Sequence, residues 1–526
     1  MCKLCEAGLP QNHFGSRRKF LKGLAATGLA TGGLKLFAPR PALAQFNYPA
    51  GSGDPNRRYV IQGGSVMSTD PGVGDFAQAN VVVEGKKIVA VGPGVGGGGD
   101  VIDARGRIVM PGFIDTHHHQ FETALRSFLA DGILINDGSN TPAGNTTYYE
   151  FILQKFAPVY RPQDVYINEL FGGLSQLDDG VTTVHDISQI HHTPQHSDAA
   201  IQALFDTGRR AVFGYFEGAG SNDPNLYAYP QDATRIKKQY FFSNDQLVTM
   251  TMGGEIYLPH YEKAWLIGRN LGLQIAAHIL SPFGMRHTFD LLTQNAGGDS
   301  GTLGLGSDNL FIHMTGMSDM AWSRVQSLGI PVSLAVPIEM NMRHGMPPIL
   351  KMESLGMELS LSVDVECTLT ADFFTQMRSM MNMQRVFVNQ MVLNQGDFVN
   401  TVWPTPAPGT PPLLTTRDVL RFGTRNGAKA LRLDSKTGSL TPGKEADIII
   451  LDATRINVAP LNQVPGAVVS LMDRTNVETV IVAGKIRKWK GQLLDVDLNR
   501  LSQQLQASRD YIFSAAGIPQ NLFSSQ

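Results

Sequence analysis

The sequence predicts an α/β protein built on a (β/α)8 TIM barrel, with a small composite β-sandwich domain formed by both chain ends. Three observations lead there. Eight short apolar runs recur between residues 108 and 364, and amphipathic segments closed by glycine lie between several of them. The text on both sides of this region alternates apolar with polar residues, as half-buried strands do.

The elements follow in chain order. Residues 1–44 read as an export signal: "GSRRKFLKG" leads into the weakly apolar "LAATGLATGGLKLFAP" and then "PALAQ", whose Ala-x-Ala pattern sets cleavage after Ala44. Ser16, Arg17, Arg18, Phe20, Leu21 and Lys22 resemble the twin-arginine consensus. The apolar run is too short, and too interrupted by Lys35, to span a bilayer stably. A mature protein in the periplasm or secreted is the expectation, delivered already folded by the twin-arginine export machinery. Cys2 and Cys5 leave with this segment, so Cys367 stands alone in the mature chain and no intrachain disulfide can form.

Strand-like text fills 57–110 ("RYVIQGGSV", "ANVVVEGKKIVAVG", "DVIDARGRIVM") and returns in 436–495 ("GSLTPGKEADIIILD", "NVETVIVAGKIRKWKGQLL"). These two stretches are the composite β-sandwich. "GPGVGGGG" lacks a following Lys-Ser/Thr and a helix, so it reads as a hairpin connection rather than a phosphate loop. The barrel occupies 111–432. Its runs are "IVMPGFID", "VTTVHD", "AVFGYF", "LVTMTMGG", "LQIAAH", "NLFIH", "IPVSLAV" and "ELSLSVD". Eight units over about 250 residues is the size of a TIM barrel. A long helix then precedes the proline-rich "WPTPAPGTPP", and a further helix starts at "TTRDVLRF", where Thr415 or Thr416 can cap and Asp418 complements the dipole. The methionines of 340–391 read as adaptable core and pocket lining. Residues 496–526 form a C-terminal extension.

Composition narrows the partners. Apolar residues make up 42% and charged residues 17%, which describes a globular chain with a large core. The net charge of −2 becomes −8 once residues 1–44 are removed, because they carry seven basic side chains and one acidic one. Such a protein has no electrostatic reason to bind nucleic acid or, after signal removal, a membrane. A small-molecule substrate is the expectation.

Side chains alternate along a strand, so in "DTHHHQFET" His117 and His119 face one way and His118 the other. Two imidazoles at i and i+2 can share a metal. The carboxyl ends of barrel strands converge on one mouth, and His278, His313 and Asp364 close the fifth, sixth and eighth runs. Four histidines and an aspartate at matching strand ends point to a metal centre. His118, His185, His191 and His192 read as structural or pocket-lining.

With "VMPGFIDTHHH", "LGLQIAAH", "FIHMTGMSDMAW", "FGTRNGAKALRL" and "GSLTPGKEADIIILD" in order, the sequence resembles the amidohydrolase superfamily, in particular its triazine hydrolases and deaminases, over about residues 57–495. The resemblance implies a metal-dependent hydrolase acting on carbon–nitrogen bonds and a homo-oligomer. It makes His117, His119, His278 and Asp364 the ligands of one divalent metal, Zn2+ or Fe2+, and His313 a group near the water or substrate. Such an ion brings the pKa of a water to roughly 7, and Asp364 would accept the proton that this water gives up. The substrate expected is a small, cyclic or aromatic nitrogen compound, open to deamination or to amide or urea hydrolysis.

One departure stands out. The family's deaminases carry His-x-x-Glu after the fifth strand, where the glutamate passes a proton to the leaving nitrogen; here the text is His278-Ile-Leu-Ser281. Glu339 is the favoured replacement, ahead of His344, Glu255 and Glu217. Two alternatives stay open: a binuclear centre with Glu255 as bridging ligand, and a catalytically impaired metal-binding relative.

Overall fold

The computed structural model describes residues 48–220, 229–259, 261–294, 304–396 and 404–523. Residues 1–44, read from the sequence as an export signal, lie outside them, and Cys2 and Cys5 with them.

The two β-rich flanks join in one nine-stranded mixed sheet. The N-terminal flank supplies β1 (Arg58–Met67), β2 (Asp75–Glu84), β3 (Lys87–Gly92), β4 (Asp100–Asp103) and β5 (Arg107–Pro111). The "GPGVGGGG" stretch connects β3 to β4 but is not the hairpin that the sequence suggests, because β3 pairs with β2 while β4 crosses over to run parallel to β1. The seam with the C-terminal flank is antiparallel, with Ile450 opposite Val109 and Asp452 opposite Arg107. Alternation drives the pairing: Tyr59, Ile61, Val81 and Val83 face Ile448, Ile450 and Ile481 in a core of their own.

The barrel follows. Its strands are β6 (Phe113–His118), β7 (Val181–Ser188), β8 (Arg210–Tyr215), β9 (Val248–Gly253), β10 (Ile275–Leu280), β11 (Asn309–Thr315), β12 (Val332–Leu334) and β13 (Leu359–Leu361). They are parallel and adjacent in sequence order. The ring shuts just beyond β13, where Asp364 N donates to His117 O at 3.0 Å and His119 N donates to Asp364 O at 2.8 Å. The C-terminal flank then contributes β14 (Ile448–Asp452), β15 (Val477–Val482), β16 (Lys485–Trp489) and β17 (Gln492–Leu493).

The run "IVMPGFID" is two strands rather than one. β5 belongs to the mixed sheet and β6 to the barrel, with Gly112 at the break. Its amide donates to Asp447 O at 3.1 Å, and a Cβ there would run into the Thr182 side chain, so only glycine fits where the chain changes sheets. A second tie joins the two layers. Buried Arg210 reaches Asp447 at 2.8 Å and Glu445 at 2.7 Å.

The helices match their sequence signals. Phe373–Asn394 is the long helix after the barrel strands. Thr415 caps Thr416–Arg421, its hydroxyl accepting from Asp418 N while Asp418 accepts from Thr415 N. The C-terminal extension forms a helix, Leu498–Ala516, docked through Phe513 against Phe128 and Phe156. Among the described residues no helix is long and apolar enough to cross a membrane.

Candidate active site

Five of the predicted side chains meet at the carboxyl end of the barrel. His117 and His119 bring their Nε2 atoms to 2.9 Å of each other, and His278 Nε2 lies 3.0 Å from His117 Nε2. Asp364 Oδ1 sits 3.6 Å from His117 Nε2 and 3.4 Å from His119 Nε2. His313 Nε2 faces the other carboxylate oxygen at 3.4 Å. All five are buried. His313 and Asp364 hold left-handed backbones, φ +69° and +72°, which for residues other than glycine is strain stored where orientation matters.

Two of the cluster's imidazoles turn their hydrogens outward. His119 Nδ1 lies 2.6 Å from Ile187 O, a carbonyl that can only accept, so the proton is on Nδ1 and Nε2 is a bare lone pair. His278 Nδ1 lies 2.5 Å from Glu255 Oε1, which frees its Nε2 in the same way. Lone pairs and a carboxylate oxygen gathered in a dry pocket repel one another unless a cation lies among them. The spacing suits one: ligand atoms around tetrahedral zinc are about 3.3 Å apart. Three imidazoles and a carboxylate fit zinc or iron by donor type.

Burial keeps three of the cluster's imidazoles uncharged. It pushes His117, His119 and His313 well below the usual histidine range, with neighbouring imidazoles adding to the effect. His278 differs: burial acts in the same direction, but the Glu255 carboxylate outweighs it and holds the ring above its ordinary value. Burial raises Asp364 to about 7.

The structure places the remaining candidates as follows. Glu339 does not face the substrate space. The chain turns into a helix at Val336–Asn341, and this carries the Glu339 carboxylate behind His313, where Oε1 lies 3.0 Å from His313 Nδ1 and accepts from Ala335 N at 3.0 Å. Glu339 thus contacts His313 from behind and does not line the cavity. Glu255 is no bridging ligand either, because one oxygen meets His278 Nδ1 and the other accepts from His278 N at 3.1 Å. Glu217 is buried beside Glu255, and the pair's mutual repulsion adds to burial in raising Glu217. Ser281 is exposed and offers nothing in place of the missing glutamate.

The bystanders take up their expected places. His118 points away from the cluster, toward Asp115 and Glu366 at 3.8 and 4.0 Å. His185 spans the barrel interior between Thr116 O and Thr251. His192 bonds Ala157 O, and His191 packs on Phe213 and Tyr215. Cys367 is buried against Glu122, its thiol pushed well up.

Above the cluster is a cavity of about 50 Å3. Tyr148, Tyr149, Tyr257 and Phe283 wall it, and Gln189 and His344 are its polar groups beyond the cluster. Phe283 lies between Tyr149 and Tyr257, ring centroids 5.0 and 5.3 Å away. Tyr148 donates to buried Glu122 at 2.6 Å. Sequence reasoning missed these walls: Tyr148 and Tyr149 open the helical segment Tyr148–Phe156, Phe283 lies in the short helix Pro282–Gly284, and Tyr257 follows β9.

This barrel with its strand-end cluster agrees with what the chain resembles. The amidohydrolase family model matches residues 108–487. The chain belongs to the amidohydrolase family. A 5'-deoxyadenosine deaminase of Methanosarcina barkeri is 26% identical over 469 residues, 86% of this chain and 97% of that protein. Among solved structures, an adenosine deaminase from Xanthomonas campestris with bound zinc superposes with a TM-score of 0.69 at 20% identity, over 88% of this chain and 99% of that one. An atrazine chlorohydrolase from Arthrobacter aurescens complexed with zinc gives 0.68 at 19% identity, over 86% and 100%. As a member of this family, the protein is a hydrolase of carbon–nitrogen bonds other than peptide bonds, with a His-rich site suited to a metal.

Proposed function

We propose that this amidohydrolase is an exported deaminase, releasing an amino group from a small heteroaromatic compound of adenine-like character with one zinc ion held by His117, His119, His278 and Asp364. The observation that carries the reading is the inward convergence of lone pairs whose hydrogens are drawn off by Ile187 O and Glu255. The aromatic cavity and the deaminases among the relatives support the substrate class. Export rests on the Arg17-Arg18 signal, and a homo-oligomer on the family resemblance.

His117, His119, His278 and Asp364 would hold a divalent ion, which would supply Lewis acidity and lower the pKa of a water toward neutral. The side chains do the rest. Asp364 takes the proton of the attacking water, since its free oxygen faces the cavity side next to His313. His313, held by Glu339, turns Nε2 toward the same space and stabilises charge on the ring atom under attack. Tyr149, Tyr257 and Phe283 exclude water and hold a flat ring.

The test is an amine-release assay across purines, pterins, triazines and their nucleosides. Wild type should release ammonia or amine from at least one member, and Asp364→Asn from none. Release at the wild-type rate by Asp364→Asn would sink the proposal.

A further inference from the structure

The acid that gives the leaving nitrogen its proton is not accounted for by the residues described so far. Ser281 is exposed, Glu339 is turned behind His313, and Glu255 is spent on His278. Tyr148 lines the cavity, but its hydroxyl hydrogen is given to Glu122.

His344 stands apart. Its ring lines the cavity and packs edge-on against His313, centroids 4.7 Å apart. It is buried, and neither ring nitrogen has a hydrogen-bond partner among the described residues. A buried imidazole with both nitrogens free costs stability unless something outside the chain completes its bonds. The backbone is built to hold it there. Arg343 before it is left-handed at φ +58°, Gly345 after it is at φ +125°, and Thr315 Oγ1 at the end of β11 donates to His344 O at 2.7 Å. A strained turn pinned to a barrel strand belongs to a site more than to a surface loop.

We infer that His344 is the catalytic residue that protonates the leaving nitrogen, in the role the family's glutamate fills after the fifth strand; this rests on the deaminase reading above. Burial pushes its pKa to about 3, so near neutral pH the ring is uncharged, with one N–H to donate and one lone pair to accept. A neutral imidazole can act as an acid in a dry site. As the C–N bond breaks, its electron pair goes to nitrogen, which takes the N–H proton of His344. The proton that Asp364 removed from water restores the imidazole. One water is consumed and one amine released, with no other reactant.

The experiment uses the zinc-loaded full enzyme, His344→Gln, His344→Ala and, for comparison, Tyr148→Phe, on one ring carrying leaving groups graded from alkylamine through arylamine to halide. His344→Gln should lose about 100-fold in kcat on the alkylamine, progressively less along the series and under threefold on the halide. Metal content should be unchanged, and added imidazole should restore part of the His344→Ala rate. Equal losses on every leaving group, or a leaving-group-dependent loss in Tyr148→Phe and not in His344→Gln, overturn the assignment and leave the deaminase reading standing. A wild-type enzyme that releases no amine from any member overturns that reading and this inference with it.

Discussion

Glu255→Gln is the sharpest probe of how the cluster is held. The carboxylate bonds His278 twice, at 2.5 Å through the ring and 3.1 Å through the backbone amide, and it is buried. Glutamine keeps one acceptor oxygen and turns a donor toward the other contact, so either the ring N–H or the amide loses its partner. Losing a charge-assisted bond in such a place costs about 1.5–3 kcal/mol. Because the bond fixes which nitrogen of His278 is bare, most of that cost falls on metal affinity. The expectation is zinc held about 10- to 100-fold more weakly, measured by competition with a chromophoric chelator, with the unfolding midpoint of the metal-free protein little changed. Affinity within threefold of wild type would refute the claim that Glu255 orients His278 for a metal.

Two further outcomes are expected. Glu339→Gln should lower kcat about tenfold while zinc content holds, because it loosens His313 without touching a ligand; unchanged turnover would remove Glu339 from the mechanism. Gly112→Ala should destabilise the fold by about 1–3 kcal/mol, since the new Cβ enters the Thr182 side chain. Thermal unfolding at the wild-type midpoint would show that the sheet-to-barrel junction tolerates a side chain.

Strand-borne features were legible in the sequence. His117 and His119 share a face because alternation dictates it, and His278, His313 and Asp364 end their runs where parallel strands must converge. Features set by a turn of the chain were not. "IPVSLAV" reads as one strand, yet β12 stops at Leu334 and a helix begins at Val336, which swings Glu339 behind His313. The Tyr149–Phe283–Tyr257 wall draws on three separate segments of the chain, and the Tyr148–Glu122 bond spans 26 residues with no periodicity to announce it. His344 was visible as a histidine near a strand end, but its two open nitrogens are a property of the packed cavity alone.

The central claim is that His117, His119, His278 and Asp364 hold one divalent ion on which hydrolysis depends. Elemental analysis of the purified protein, with activity followed as metal is stripped and returned, tests it most directly. The account predicts about one zinc or iron per chain, activity rising in step with occupancy, and less than a tenth of that content in a His117→Ala, His119→Ala double variant. Full activity in metal-free protein, or undiminished metal in the double variant, would contradict it.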